Sequence, residues 1–238
     1  MPVKSRPRAF ADERFVRGEY LGLHLAVGFL VSVCALLLFG LITEDVVHHE
    51  PLTAVDLAFN AWTRSHATPL GDRVAIAISF VGGPECMTFI AVAVALVLVY
   101  RREWIVLSGW SAAFAVGSVL DWLLKRIIRR PRPVGADRFL HGDSFSFPSG
   151  HAMGSLIGFA MLAYVLVRFW PPARRHPVLV MSVAAVLFLL VGWSRLYLGV
   201  HYLSDVVAGF AAGTLWVTAC MAAIEMANAR TPRPDGDL

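Results

Sequence analysis

Six long stretches almost free of charge alternate along this chain with short polar connections. Tyr20–Thr43, Trp104–Leu120, Pro177–Ser194 and Val206–Ile224 contain no Asp, Glu, Lys or Arg, and Val74–Tyr100 contains only Glu85. His151–Val167 opens on a histidine and likewise contains no Asp, Glu, Lys or Arg. A helix of about 20 largely apolar residues, within a range of roughly 17–25, crosses the hydrocarbon core of a bilayer. Lipid offers no partner to an unpaired peptide group, so helices are the default spanning element. The pattern predicts an all-α, polytopic membrane protein: a six-transmembrane-helix bundle. A soluble protein with six such helices buried would need more polar sequence to wrap them than this chain has.

Finer punctuation adds detail. Between the first two runs, Leu52, Val55, Phe59 and Trp62 recur at helical spacing with Asp56, Asn60 and Arg64 interleaved, which predicts a short helix in the membrane interface. Gly82-Gly83-Pro84 predicts a kink or break near the start of the second run. Lys4, Arg6, Arg8, Arg14 and Arg17, then Arg101 and Arg102, then Arg168, Arg174 and Arg175, then Arg230 and Arg233 all fall on one side if the chain crosses six times. By the positive-inside rule that side is cytoplasmic. The expected organisation is a cytoplasmic N-terminal tail (1–19), a six-helix domain (20–226) and a cytoplasmic C-terminal tail (227–238). The expected location is a bacterial plasma (inner) membrane. The first run is longer than a signal-peptide core and lacks a clear small-x-small site after it, so it reads as a retained span. One stretch breaks the rule: Lys125 to Arg138 is strongly basic yet falls on the opposite face.

Composition narrows the classes further. Of 238 residues, 57% are apolar and 16% charged, against about 25% charged in an ordinary soluble domain, and the mean hydropathy is +0.64. A disordered chain, a nucleic-acid binder and a disulfide scaffold are excluded. The net charge is +4, too mild for its sum to decide anything. Cys34, Cys86 and Cys220 are scattered without a CxxC spacing, so they suggest neither a zinc site nor a disulfide framework.

Three polar clusters fall on the non-cytoplasmic face. They are Lys125-Arg126-Ile127-Ile128-Arg129-Arg130-Pro131-Arg132-Pro133, Pro148-Ser149-Gly150-His151, and Ser194-Arg195 followed by His201 and Asp205. Lys125, Arg132 and Arg195 are positive charges, and the two guanidinium forks suit phosphate oxygens. Ser149 and Gly150 precede a helix start, where backbone N–H groups and the helix dipole attract an anion. His201 and Asp205 are four apart and share a face on a helix. A carboxylate there keeps one imidazole nitrogen protonated and leaves the other as a nucleophile, while His151 can protonate a leaving oxygen. The sum is a phosphate-monoester site working through a phosphohistidine. Arginines and lysine supply the positive field, so no metal and no cofactor are expected. Asp121, four residues before Lys125, is placed to orient it.

Each cluster alone has a plainer reading: a headgroup-attracting basic run, an N-cap, a structural His–Asp pair. Their convergence on one membrane face favours the catalytic one. The three clusters together resemble the signature of the type 2 phosphatidic acid phosphatase superfamily, KxxxxxxRP, PSGH and SRxxxxxHxxxD, and every signature position is matched between residues 125 and 205. The resemblance implies a membrane lipid phosphatase with its site at the outer leaflet. It implies His201 as nucleophile, Asp205 as its charge partner and His151 as acid. It also implies Lys125, Arg132, Ser149, Gly150 and Arg195 as phosphate binders. The substrates it implies are lipid phosphates or diphosphates such as phosphatidic acid, phosphatidylglycerol phosphate or a polyprenyl diphosphate. It also covers lipid A phosphatases and phosphotransferases. The vanadium haloperoxidases resemble the same signature but are soluble, and a non-enzymatic lipid carrier would be expected to have lost His151 or His201. Arg126, Arg129 and Arg130 lie outside the signature and are assigned to headgroup attraction or local structure. Arg138, His141 and Asp143 are candidates for shaping substrate choice.

Overall fold

The computed structural model describes residues 7–48, 51–139 and 145–230. They form nine α-helices: α1 (Pro7–His48), α2 (Pro51–Ser65), α3 (Pro69–Val81), α4 (Pro84–Tyr100), α5 (Trp104–Ile128), α6 (Gly150–Phe169), α7 (Pro171–Arg175), α8 (Pro177–Tyr197) and α9 (Leu203–Arg230). A 3₁₀ turn, Ala136–Arg138, lies between α5 and α6. Among the described residues, six segments are long and apolar enough to cross a membrane: Ala26–His48, Pro69–Tyr100, Trp104–Ile128, Gly150–Phe169, Pro177–Tyr197 and Leu203–Arg230. The fold is the six-span bundle that the charge-free runs predict.

Local chemistry sets the helix ends. Proline occupies the start of α3, α4, α7 and α8, where its missing N–H costs no hydrogen bond and its fixed φ suits the first turn. The second span starts earlier than its charge-free run because Thr68 caps α3, its Oγ1 accepting from Gly71 N at 3.1 Å. Gly82-Gly83-Pro84 divides that span into α3 and α4, as expected. The C-cap of α5 is Arg129, in the left-handed region at φ 52°, and its N–H reaches Lys125 O at 3.0 Å. Pro131 follows and cannot continue the helix.

The helix α6 is the centre of the bundle, packed against α4, α5, α8 and α9. Met153, Leu156, Ile157, Met161 and Val165 on α6 meet Trp110 on α5, Leu98 on α4 and Val217 and Ile224 on α9. Trp110 satisfies its indole by donating to Ala91 O at 2.9 Å, as a buried tryptophan needs. Elsewhere the apolar side chains face outward. Phe29, Leu30, Leu37 and Leu41 on α1 and Val178, Leu179, Val183 and Val186 on α8 are all exposed, the distribution a lipid solvent requires. Lipid tails are as apolar as leucine, so close packing between helices depends on small residues. At Gly209 on α9, a Cβ would lie 2.7 Å from Ser149 O. That glycine lets α9 approach the first turn of α6, which is where the polar clusters meet.

The short helix α2 is present where predicted, with Leu52 and Phe59 of its apolar stripe packed on the bundle. Val55 and Trp62 of the predicted apolar stripe are exposed, whereas Asp56 is fully buried. Asp56 is ion-paired inside the bundle, as described below.

Candidate active site

Alternating helix direction brings the C-terminal ends of α5 and α8 and the N-terminal ends of α6 and α9 to one end of the bundle. The eight candidate site residues, Lys125, Arg132, Ser149, Gly150, His151, Arg195, His201 and Asp205, are there. Lys125, in the last turn of α5, donates from Nζ to Asp121 Oδ1 at 2.5 Å and to Pro148 O at 2.6 Å. An ammonium has three N–H donors, so one remains for a ligand. The lysine thus ties the first cluster to the second. Gly150 completes this contact, because a Cβ there would press to within 2.8 Å of Asp121 Oδ2. The pairing of Asp121 with Lys125 is as expected.

Ser149 caps α6: its Oγ accepts from Ala152 N at 3.4 Å, and its own N–H donates to Asp205 O at 2.9 Å. Gly150 and His151 therefore occupy the first turn of α6, where N–H groups have no intrahelical acceptor and the helix dipole is positive. The imidazole of His151 lies within electrostatic reach of Arg195, His201, Lys125 and Arg132.

Arg195, in the last turn of α8, is buried at 4% exposure. It donates from Nη1 to the Ser79 hydroxyl of α3, and its Nε–H has no acceptor among the described residues. Arg132 donates from Nη1 to Val200 O at 2.9 Å and stands 3.1 Å from His201 Nε2. Burial lowers the Arg132 pKa while Asp205 and Asp121 oppose that change. An arginine starts so high that it remains a cation.

His201 is in the turn before α9, not on the helix itself, which starts at Leu203. The expected shared helical face with Asp205 is replaced by a turn that folds back onto the first helical residues. The ring is buried at 3% exposure. Its Nδ1 faces Asp205 Oδ2 at 3.4 Å, an ion-pair distance without hydrogen-bond alignment. A guanidinium can only donate, so the contact with Arg132 assigns the lone pair to Nε2 and the proton to Nδ1, toward Asp205. Burial pushes the His201 pKa down to about 4, helped by Arg132 and Arg195 and opposed by Asp205. The imidazole is therefore neutral at physiological pH.

The basic run separates into different roles. Arg126 stacks on the exposed Trp122 ring with its guanidinium 4.9 Å from the centroid, and Arg129 is exposed. Arg138 is exposed at the end of the 3₁₀ turn. His141 and Asp143 lie outside the described residues. Arg130 follows the second of the two expected readings, local structure, and not headgroup attraction. It is buried at 9% exposure, donating from Nη1 to Asp205 Oδ1 at 2.6 Å and Ser204 Oγ at 2.7 Å, and from Nη2 to Asp56 Oδ2 at 2.7 Å. Burial works against its charge, but Asp205 and Asp56 outweigh that and raise its pKa. Asp56, Ser204 and Ser79 are the polar residues of this site that sequence reasoning missed, together with the partners of Arg130. The available signal was one acidic residue inside the predicted interfacial helix.

Comparison with known proteins agrees with this geometry. The model of the PAP2 superfamily matches residues 103–229. The chain is 34% identical over 182 residues to phosphatidylglycerophosphatase B of Bacillus subtilis, covering 76% of this chain and 89% of that protein. It is 31% identical over 140 residues to human dolichyldiphosphatase 1, covering 55% of this chain and 58% of that protein. Its fold superposes with a TM-score of 0.76 on the crystal structure of a transmembrane PAP2-type phosphatidylglycerolphosphate phosphatase from Bacillus subtilis. That likeness carries 30% identity and covers 85% of this chain and 98% of the other. With the signature residues gathered at one end of a six-span bundle, the chain belongs to the PAP2 superfamily and is a membrane lipid phosphatase of that family.

Proposed function

We propose that the protein hydrolyses the terminal phosphate of a lipid phosphate through a phosphohistidine on His201, without a metal ion. The observation that carries this reading is the buried His201 imidazole. Its Nε2 lone pair faces Arg132 and its Nδ1–H faces Asp205. Arg132, Arg195, the third donor of Lys125 and the first-turn amides of α6 hold the phosphoryl oxygens and balance their charge. Nε2 attacks phosphorus, the bond from phosphorus to the lipid oxygen breaks, and that oxygen takes the proton of His151. Water then attacks the phosphorus, giving its proton to the now neutral His151. The P–N bond breaks and inorganic phosphate leaves. Since an alcohol can replace water in the second step, transfer to another lipid uses the same residues.

The favoured substrate is a glycerophospholipid monophosphate of the phosphatidylglycerol phosphate type, because the bacterial phosphatidylglycerophosphatase is matched over most of both chains. A polyprenyl diphosphate is the second reading, supported by the likeness to dolichyldiphosphatase 1. The purified protein is expected to release inorganic phosphate from one of these, or from phosphatidic acid, with chelator present. Loss of turnover in chelator with recovery in magnesium overturns the metal-free mechanism, and failure on all three classes overturns the phosphatase reading.

The extracytoplasmic face is proposed for the site. Arg101, Arg102, Arg174 and Arg175 lie in connections at the other end of the bundle, and short basic connections stay in the cytoplasm. Val134, fully exposed beside the site, supplies the test. In a variant with Cys34, Cys86 and Cys220 replaced, Val134→Cys should react in intact cells with a membrane-impermeant maleimide. Labelling only after lysis reverses the orientation.

A further inference from the structure

A buried ion network behind the proposed nucleophile rests on the phosphatase reading and extends it to residues outside the signature. Asp205 has two carboxylate oxygens with different neighbours. Oδ2 faces His201 Nδ1 at 3.4 Å and accepts from Tyr202 N at 2.9 Å, while Oδ1 accepts from Arg130 at 2.6 Å. The other arm of Arg130 is held by Asp56 at 2.7 Å. Asp56 is held in turn by Ser204, whose N–H donates to Oδ1 at 2.9 Å and whose hydroxyl donates to Oδ2 at 2.5 Å. The guanidinium also covers the Tyr202 ring, 4.3 Å from its centroid. Asp56 and Asp205 are both fully buried.

We propose that Asp56 and Arg130 are positioning residues for the reaction: Arg130, clamped by Asp56, fixes the Asp205 carboxylate so that its second oxygen stays turned toward His201. Two buried carboxylates and one guanidinium are an expensive way to join helices, which apolar side chains accomplish at least as well. The arrangement supplies direction. A carboxylate on one rotatable bond can turn either oxygen to the histidine, and a fork anchored at both ends removes that freedom. The anchor comes from α2, the interfacial helix, so the seat of α2 and the geometry of the catalytic pair are one feature.

Asp56→Asn, Arg130→Lys and Arg130→Gln are compared with the intact protein. Three quantities are read: kcat and KM on the lipid phosphate, inhibition by inorganic phosphate, and melting temperature in detergent. Loss of a supporting partner behind a reacting group lowers activity by roughly 10–100-fold. Asp56→Asn is expected at the small end of that range and Arg130→Gln at or beyond the large end, with Arg130→Lys recovering part of the loss. KM and phosphate inhibition should stay within about twofold, because the phosphate cradle is untouched. Asp56→Asn and Arg130→Lys keep the test open if Arg130→Gln does not fold. The proposal is overturned if both of these keep the parent kcat. It is equally overturned if kcat falls only together with phosphate affinity and melting temperature, as a purely structural contact would make it do. An inactive parent protein instead sinks the phosphatase reading itself.

Discussion

Replacing His201 with alanine is expected to lower turnover on a lipid phosphate by at least about 10³-fold and to abolish any covalent phosphoprotein. The size follows from the role. If Nε2 forms the new bond to phosphorus, its loss leaves direct attack by a water that Asp205 does not activate, and only the field of Arg132, Arg195 and Lys125 remains to stabilise the transition state. A thousandfold loss corresponds to about 4 kcal/mol of transition-state stabilisation. The check is a rapid quench with substrate labelled in the phosphate. An acid-labile, base-stable label should appear on the parent protein and be missing from His201→Ala. The fold should survive, because the imidazole stands 3.4 Å from Asp205 without hydrogen-bond alignment, and Arg132, which loses its contact with Nε2, keeps Val200 O as an acceptor. His201→Gln, which retains volume, is the control for collapse of the site. Turnover within tenfold of the parent in both variants removes His201 as the nucleophile.

The spans were legible because lipid imposes an apolar run of a minimum length, and Gly82-Gly83-Pro84 carries its own backbone chemistry. The meeting of the three clusters was legible from parity: an odd number of crossings between Lys125 and His151, or between Arg195 and Asp205, would have sent them to opposite faces. What stayed hidden was the rotation of helices about their axes. With lipid outside and leucine inside, apolar periodicity says little about which face is turned inward. So α2 was read from Leu52, Val55, Phe59 and Trp62, while the burial and ion pairing of Asp56 went unread. Arg130 looked like one more member of a basic run. Its partners are 74 and 75 residues away, and no local spacing announces them. Ser79 likewise sits in an apolar stretch with nothing to mark it as the partner of Arg195. His201 shows a subtler limit. The i,i+4 spacing to Asp205 gave the right pair for an incomplete reason, since a turn and not a helical face brings them together.

His151→Ala is expected to slow hydrolysis of a natural lipid phosphate by about 10²–10⁴-fold, the range for loss of a positioned general acid. The loss should depend on the leaving group. A lipid alkoxide is a poor leaving group without a proton, whereas a nitrophenolate departs without one. A lipid-tailed nitrophenyl phosphate should therefore bring the deficit below about tenfold, because P–O cleavage no longer needs the acid. The same variant separates the limbs of the pH profile. In the parent, with the phosphate anion bound beside His151 and offsetting the cations around it, rate should fall at low pH as His201 becomes protonated, and fall at high pH as His151 loses its proton. Burial holds the His201 pKa down near 4, so the acid limb set by this imidazole lies below the usual histidine range of about 6.5. Removing His151 should leave that limb and erase the alkaline one, giving a profile that rises to a plateau. A variant that keeps its alkaline limb, or whose deficit is the same for both leaving groups, shows that His151 does not donate the proton. Its place in the first turn of α6 would then serve only to hold the phosphate.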